Sequence, residues 1–135
     1  MEECTEETNN PIIVLEEKGK KMTFINEHRQ TVRKIKVDGC AIKKGIRCDW
    51  LVINEADCEH FVELKGSDLR HACEQLRESI IQLSKNAYKS VKFAFAIAGK
   101  VSPKLRTSIQ VEQAKFKKRY NCKLEVKNTP FTSNL

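Results

Sequence analysis

Asp49, Glu63 and Lys65 are the side chains whose types and spacing suit chemistry, and all three fall in GIRCDWLVINEADCEHFVELKG, residues 45–66. This stretch reads as two apolar strands joined by a polar turn. Alternate side chains of a strand share a face, so Val62 and Leu64 point together into a core while Glu63 and Lys65 point together the other way. Hairpin pairing of the two strands sets Asp49 at the same end of the sheet. Paired carboxylates repel unless a divalent cation such as Mg2+ lies between them and takes their oxygens as ligands. A cation held there can bind a phosphate oxygen, stabilise charge building on phosphorus and favour ionisation of a bound water. Lys65 would orient or help deprotonate that water and offset negative charge in the transition state. The face opposite the core is therefore expected to be a metal and phosphate site. The plainer alternative makes Glu63 and Lys65 a charge pair on a solvated face, worth about a few tenths of a kcal/mol. That alternative gives Asp49 no reason to stand in so apolar a strand, because an unpaired buried carboxylate is costly.

The elements that must position these groups follow from periodicity. KMTFIN and TVRKIKVDG read as strands around the polar EHRQ, with Ile35 and Val37 at strand spacing. IRCDWLVIN (46–54) is the strongest central strand, and HFVELKG (60–66) returns beside it. Trp50 alternates with Asp49 and belongs to the core. The period then changes to 3.6: Leu69, Ala72, Cys73, Leu76, Ile80, Leu83 and Ala87 form one stripe, which Ser67 or Asp68 can cap. VKFAFAIAG (91–99) suits an interior strand covered on both faces. A second helix is expected over about 104–120 and a closing strand in CKLEVK (122–127), while PIIVLEE (11–17) is too short to type. The fold class is α/β, a central mixed β-sheet flanked by helices. Residues 11–135 form one domain, and residues 1–10 are expected to be a disordered acidic tail.

Asp49, thirteen intervening residues, then Glu63-Leu64-Lys65, resembles the D…ExK signature of the PD-(D/E)XK nuclease superfamily. The order of a strand hairpin bearing the motif, a helix and another strand is similar to that family's restriction-endonuclease-like core over roughly residues 35–100. Gln75, in ACEQLRES, is similar to the helix glutamine of RecB-like and resolvase-like members, although Ser79 stands where the RecB-like pattern has Tyr. The resemblance implies that Asp49 and Glu63 bind Mg2+ or Mn2+, with the Leu64 main-chain carbonyl completing the coordination. It also implies that Lys65 is the catalytic lysine, and that Gln75 contacts the active site or DNA. Some members add an upstream glutamate, for which Glu27 is the counterpart here. The implied activity is endonucleolytic hydrolysis of phosphodiester bonds, in DNA ahead of RNA, leaving 5′-phosphate and 3′-hydroxyl ends. Gln75 also reads as an ordinary surface residue at the edge of its stripe.

Charge points the same way. Residues 1–17 hold six Glu and no Lys or Arg, leaving 25 Lys and Arg against 12 Asp and Glu elsewhere. From Lys85 to Lys127, twelve Lys and Arg face only Glu112 and Glu125. Such a balance suits a polyanion, nucleic acid first, or a surface kept soluble by lysine. On the second helix, Lys115, Lys117, Lys118 and Arg119 either track a phosphate backbone or solvate the helix. The six cysteines include no CxxC pair, so Cys58-Glu59-His60 and His71-Ala72-Cys73 make poor zinc knuckles. His60 and His71 read as structural or exposed before they read as substrate contacts. Without an export signal or an apolar run of membrane length, reduced thiols and a cytoplasmic location are expected. So small a domain has little separate apparatus for reading DNA, so a homodimer or a partner protein is expected. The competing readings are a catalytically silent nuclease-fold subunit that binds nucleic acid, and an unrelated α/β interaction protein with a basic face.

Overall fold

The computed structural model describes residues 2–64 and 68–135, so Lys65 and the capping alternative Ser67 lie outside the described residues. Along the described chain run β1 Thr5–Thr8, β2 Ile12–Glu17, β3 Lys20–Ile25, β4 Val32–Lys36, β5 Trp50–Ile53 and β6 Glu59–Glu63. They are followed by α1 Leu69–Leu83, β7 Lys92–Ala98, α2 Arg106–Tyr120, β8 Cys122–Asn128 and β9 Phe131–Asn134. Six strands form a mixed sheet in the order β1-β4-β5-β6-β7-β8. Pairing is antiparallel as far as β6 and parallel from β6 to β8. A smaller sheet has the order β2-β3-β9.

Strand alternation sorts the core into two layers. Leu51, Ile53, Phe61, Ala94 and Ala96 face Ala72, Cys73, Leu76 and Ile80 of α1 and Phe116 and Tyr120 of α2. The alanines of β7 let the helices approach the sheet closely. Val52, Val62, Leu64, Phe95 and Ile97 face the other way, against Ile13, Leu15, Met22 and Phe24 of the small sheet. Both helices therefore cover one face of the central sheet, and the second sheet covers the other. Each fully buried aliphatic or aromatic side chain in these layers contributes about 1.5–3 kcal/mol.

Turn chemistry sets the register. Between β5 and β6, the Asn54 side chain accepts hydrogen bonds from the Ala56 and Cys58 backbone N–H groups at 3.1 and 2.9 Å, and Asp57 takes a positive φ of 62°. Between β2 and β3, Lys18 and Gly19 have φ of 48° and 79°, the double positive φ of a tight two-residue hairpin. Asp68 caps α1 through the His71 N–H. The α1 stripe stops short of Ala87 because Glu59 draws the chain away, accepting from Ser84 Oγ and the Lys85 N–H.

Residues 2–10 do not form the disordered tail expected of residues 1–10. Thr5–Thr8 pairs with β4, setting Glu6 opposite Lys34 and Glu7 opposite Arg33. Acidic and basic strands attract across the ladder, and the repulsion expected of an isolated acidic run is thereby answered. Cys4 and Cys40 are joined by a disulfide, whereas Cys48, Cys58, Cys73 and Cys122 are free thiols. Their proximity comes from the β1–β4 pairing, which spacing in the sequence does not reveal. PIIVLEE becomes β2, and β9 adds a parallel neighbour to β3. Among the described residues, no helix is long and apolar enough to cross a membrane.

Candidate functional site

Asp49 precedes β5, and Glu63 ends the neighbouring β6. The register pairs Trp50 with Val62, and the Asp49 N–H still donates to the Val62 carbonyl at 3.1 Å. One step further, the Asp49 carboxylate accepts from the Leu64 N–H at 2.8 Å through Oδ2. Glu63 shares the face of Phe61, as alternation requires, with Val62 and Leu64 on the opposite side. Asp49 and Glu63 thus meet from adjacent strands at the carboxyl end of β6. The face they occupy is not open: Glu63 is 0% and Asp49 4% exposed, because α1 lies over this side of the sheet.

Helix α1 contributes two polar side chains to its buried face. Gln75 is buried, not the surface residue its place at the stripe edge allows. Ser79, one turn on, is fully buried, and its Oγ accepts the Cys48 N–H at 2.7 Å. Spacing of four residues aligns the two along the helix. The Ser79 hydroxyl ties α1 to the chain directly before Asp49, a role invisible without the register. Ser79→Ala would leave the Cys48 N–H buried and unsatisfied, so a loss of about 1–3 kcal/mol is expected in urea denaturation.

Glu27 does not join this group. It is exposed in the turn after β3, at the Val32 end of β4, whereas Asp49 adjoins the Lys36 end. Trp50 is half-buried against the small sheet, with the Lys34 and Lys36 ammoniums 4.9 and 4.7 Å from its ring. His60 is core: Phe93 stacks on it at 5.2 Å, Phe24 meets its edge at 5.4 Å, and burial lowers its pKa. His71 is exposed on α1. Burial pushes the thiols of Cys48, Cys73 and Cys122 up to about 12, so they are protonated and inert at neutral pH.

Among the described residues, no three His, Cys, Asp or Glu side chains gather around one point. The register sets the Asp49 and Glu63 carboxylates opposite each other, and carboxylate oxygens are hard donors of the kind Mg2+ or Mn2+ takes. Only one Asp49 oxygen is engaged by a hydrogen bond among the described residues. The donor set fits such a cation in chemistry, although the enclosure of Glu63 leaves little room around it.

A groove opens beside this end of the sheet. It is lined by Asp68, Leu69 and Arg70 of the α1 start and by Leu105, Ser108 and Lys115 on the α2 side, with a volume of about 780 Å3. A second hollow of about 620 Å3, lined by Arg77, Lys115, Lys118, Arg119 and Tyr120, continues from it at Lys115. Comparison with family models, curated proteins and solved structures finds no match to the chain.

Proposed function

We propose that the protein is a metal-dependent phosphodiester hydrolase acting on DNA, with Asp49 and Glu63 as carboxylate ligands and Lys65 as the catalytic base or charge-offsetting lysine. The observation that carries this reading is the register that sets Asp49, directly before β5, opposite Glu63 of β6, both buried beneath a helix that also buries Gln75 and Ser79. An acid pair beside a strongly basic surface is unhelpful to a protein that only binds polyanions. It is useful to one that also breaks a phosphodiester. Asp49, Glu63 and the Leu64 carbonyl would hold Mg2+ or Mn2+, which when bound supplies charge stabilisation at phosphorus and acidifies water. The Leu64 N–H fixes the Asp49 carboxylate, and Ser79 fixes the backbone before it, so the acid is held in one orientation. Gln75, buried on α1, would orient the scissile phosphate or its water. On this reading the protein works as a homodimer or with a targeting partner; the Cys4–Cys40 disulfide corrects the expectation of reduced thiols and weighs against a cytoplasmic location.

A second reading, a nuclease-like subunit that binds nucleic acid without turnover, is favoured by one observation: Glu63 is wholly enclosed. Cleavage of labelled linear, circular and branched DNA, and of RNA, with Mg2+, Mn2+ or EDTA separates the two. Metal-dependent cutting that disappears in Glu63→Gln and Lys65→Ala, both shown to be folded, supports the hydrolase. Binding without cutting under every metal condition supports the silent subunit.

A further inference from the structure

Helix α2 is an unusual surface element. Of its fifteen residues only Phe116 and Tyr120 are buried, which leaves the rest of the helix outward. It carries Arg106, Lys115, Lys117, Lys118 and Arg119 against the single acid Glu112. Cations in a last helical turn complement the macrodipole. That accounts for neither Lys115, which stands earlier, nor Arg77, which comes from α1.

These cations are not scattered. Arg77, Lys115, Lys118 and Arg119 line one hollow, and Lys115 also lines the groove that leads to the start of α1. Because β6, β7 and β8 are parallel, α1 and α2 run parallel to each other, and the groove follows both helices. One end lies beside the carboxyl end of β6, where Asp49 and Glu63 meet. Glu112 organises the cations: its carboxylate takes Arg77 at 2.7 Å and Lys115 at 3.7 Å. Burial acts to raise the Glu112 carboxyl, but hydrogen bonds from Arg77 and Cys73 and the charges of Arg77 and Lys115 outweigh it and hold it below its ordinary value. Lys115 nevertheless remains 66% exposed, and Lys118 and Arg119 are exposed beside it. At the far end, Tyr88 is 54% exposed and stacked on Tyr120 with ring centroids 5.8 Å apart. Lys117, by contrast, faces the β8 side of the helix, where its ammonium meets the Asn121 side chain at 3.2 Å.

We infer that this groove binds a nucleic-acid single strand, with Arg77, Lys115, Lys118 and Arg119 on consecutive phosphates and Tyr88 offering its face to a base. A cationic track ending in an exposed aromatic ring is the arrangement that suits a single strand, since phosphates supply affinity and any base can stack. The inference rests on the hydrolase reading for its direction: the strand would lead along α2 towards Asp49 and Glu63. Its test does not depend on cleavage.

The test is titration of a fluorescent 20-mer of single-stranded DNA in EDTA over a range of salt, using the full chain. Lys118→Ala and Arg119→Ala are each expected to weaken binding several-fold and to lower the slope of log affinity against log salt by about one. Lys117→Ala, an equal change of charge on the same helix, is expected to change neither. Tyr88→Ala should weaken binding without altering the slope, because stacking releases no counterions. An equal loss in Lys117→Ala, or unchanged affinity in Lys118→Ala and Arg119→Ala, overturns the groove. So does competition by polyglutamate as strong as by DNA, which would mark a docking face for an acidic protein. Since no metal is present, a failure to cut DNA elsewhere would sink the hydrolase and leave this result standing.

Discussion

On the hydrolase reading, Asp49→Asn is expected to slow metal-dependent cleavage by about 100-fold or more while changing stability by less than about 1 kcal/mol. The separation of these two effects is the point of the substitution. The Asp49 Oδ2 accepts the Leu64 N–H at 2.8 Å, and an asparagine oxygen can accept the same bond. What asparagine lacks is the negative charge that a cation requires. Asp49→Ala removes both, so it should lose the same activity and also about 1–3 kcal/mol, because the Leu64 N–H is then left buried without its acceptor. Cleavage assays beside urea titrations of both variants give the answer. Full activity in Asp49→Asn would reduce Asp49 to a hydrogen-bond acceptor that holds the β5–β6 end together, and would remove the metal site with it.

Lys92→Met is the substitution expected to damage the fold most. Lys92 is fully buried at the start of β7, and its ammonium donates to the Ala87, Ser90 and Tyr120 carbonyls at 3.1, 2.5 and 2.6 Å. These three belong to the loop after α1 and to the end of α2, so one ammonium joins both helices' exits to the sheet. Methionine keeps the apolar stem but leaves three acceptors unanswered. The expected cost is about 3–5 kcal/mol, a fall in Tm of roughly 10–20 °C. Lys92 also gives a pH signature. Burial, partly offset by Cys122, Glu59 and Cys58, lowers its pKa below the ordinary 10.5. The unfolded chain therefore binds the Lys92 proton more tightly than the folded one. Stability from this group rises with pH between the depressed folded value and 10.5. Lys92→Met should lack that rise. A stability change below about 1 kcal/mol, or an unchanged pH slope, would show that the carbonyls find other partners.

Much of the fold is legible along the chain because periodicity reports burial. The apolar runs in WLVI and HFVEL on either side of the polar EADCE announce a hairpin, and the 3.6-residue stripe from Leu69 announces α1. The continuous run KFAFAIA announces a strand covered on both faces. Where local pattern was weak, reading failed for identifiable reasons. Residues 5–8 are Thr-Glu-Glu-Thr with no apolar side chain, and only the Lys34 and Arg33 partners of β4 make them a strand. The β2–β3 hairpin depends on Lys18 and Gly19, and β9 depends on β3 for its partner. The charged stretch Arg106–Tyr120 has almost no apolar stripe, yet Phe116 and Tyr120 are enough to seat it on the sheet.

The site divides in the same way. By residue type and spacing alone, the sequence determined that Glu63 opposes the face of Val62 and Leu64 and set Asp49 in the run before it, since strand period is a local property; the strand itself begins one residue after Asp49. Only the tertiary structure decided that this opposing face is roofed by α1, that Gln75 is buried and Ser79 bonds the chain before Asp49, and that Glu27 lies at the other end of β4. It alone gathered Arg77 with Lys115, Lys118 and Arg119 and turned Lys117 away. Those relations arise from how parallel helices pack across a twisted sheet, which brings together residues that no local period connects.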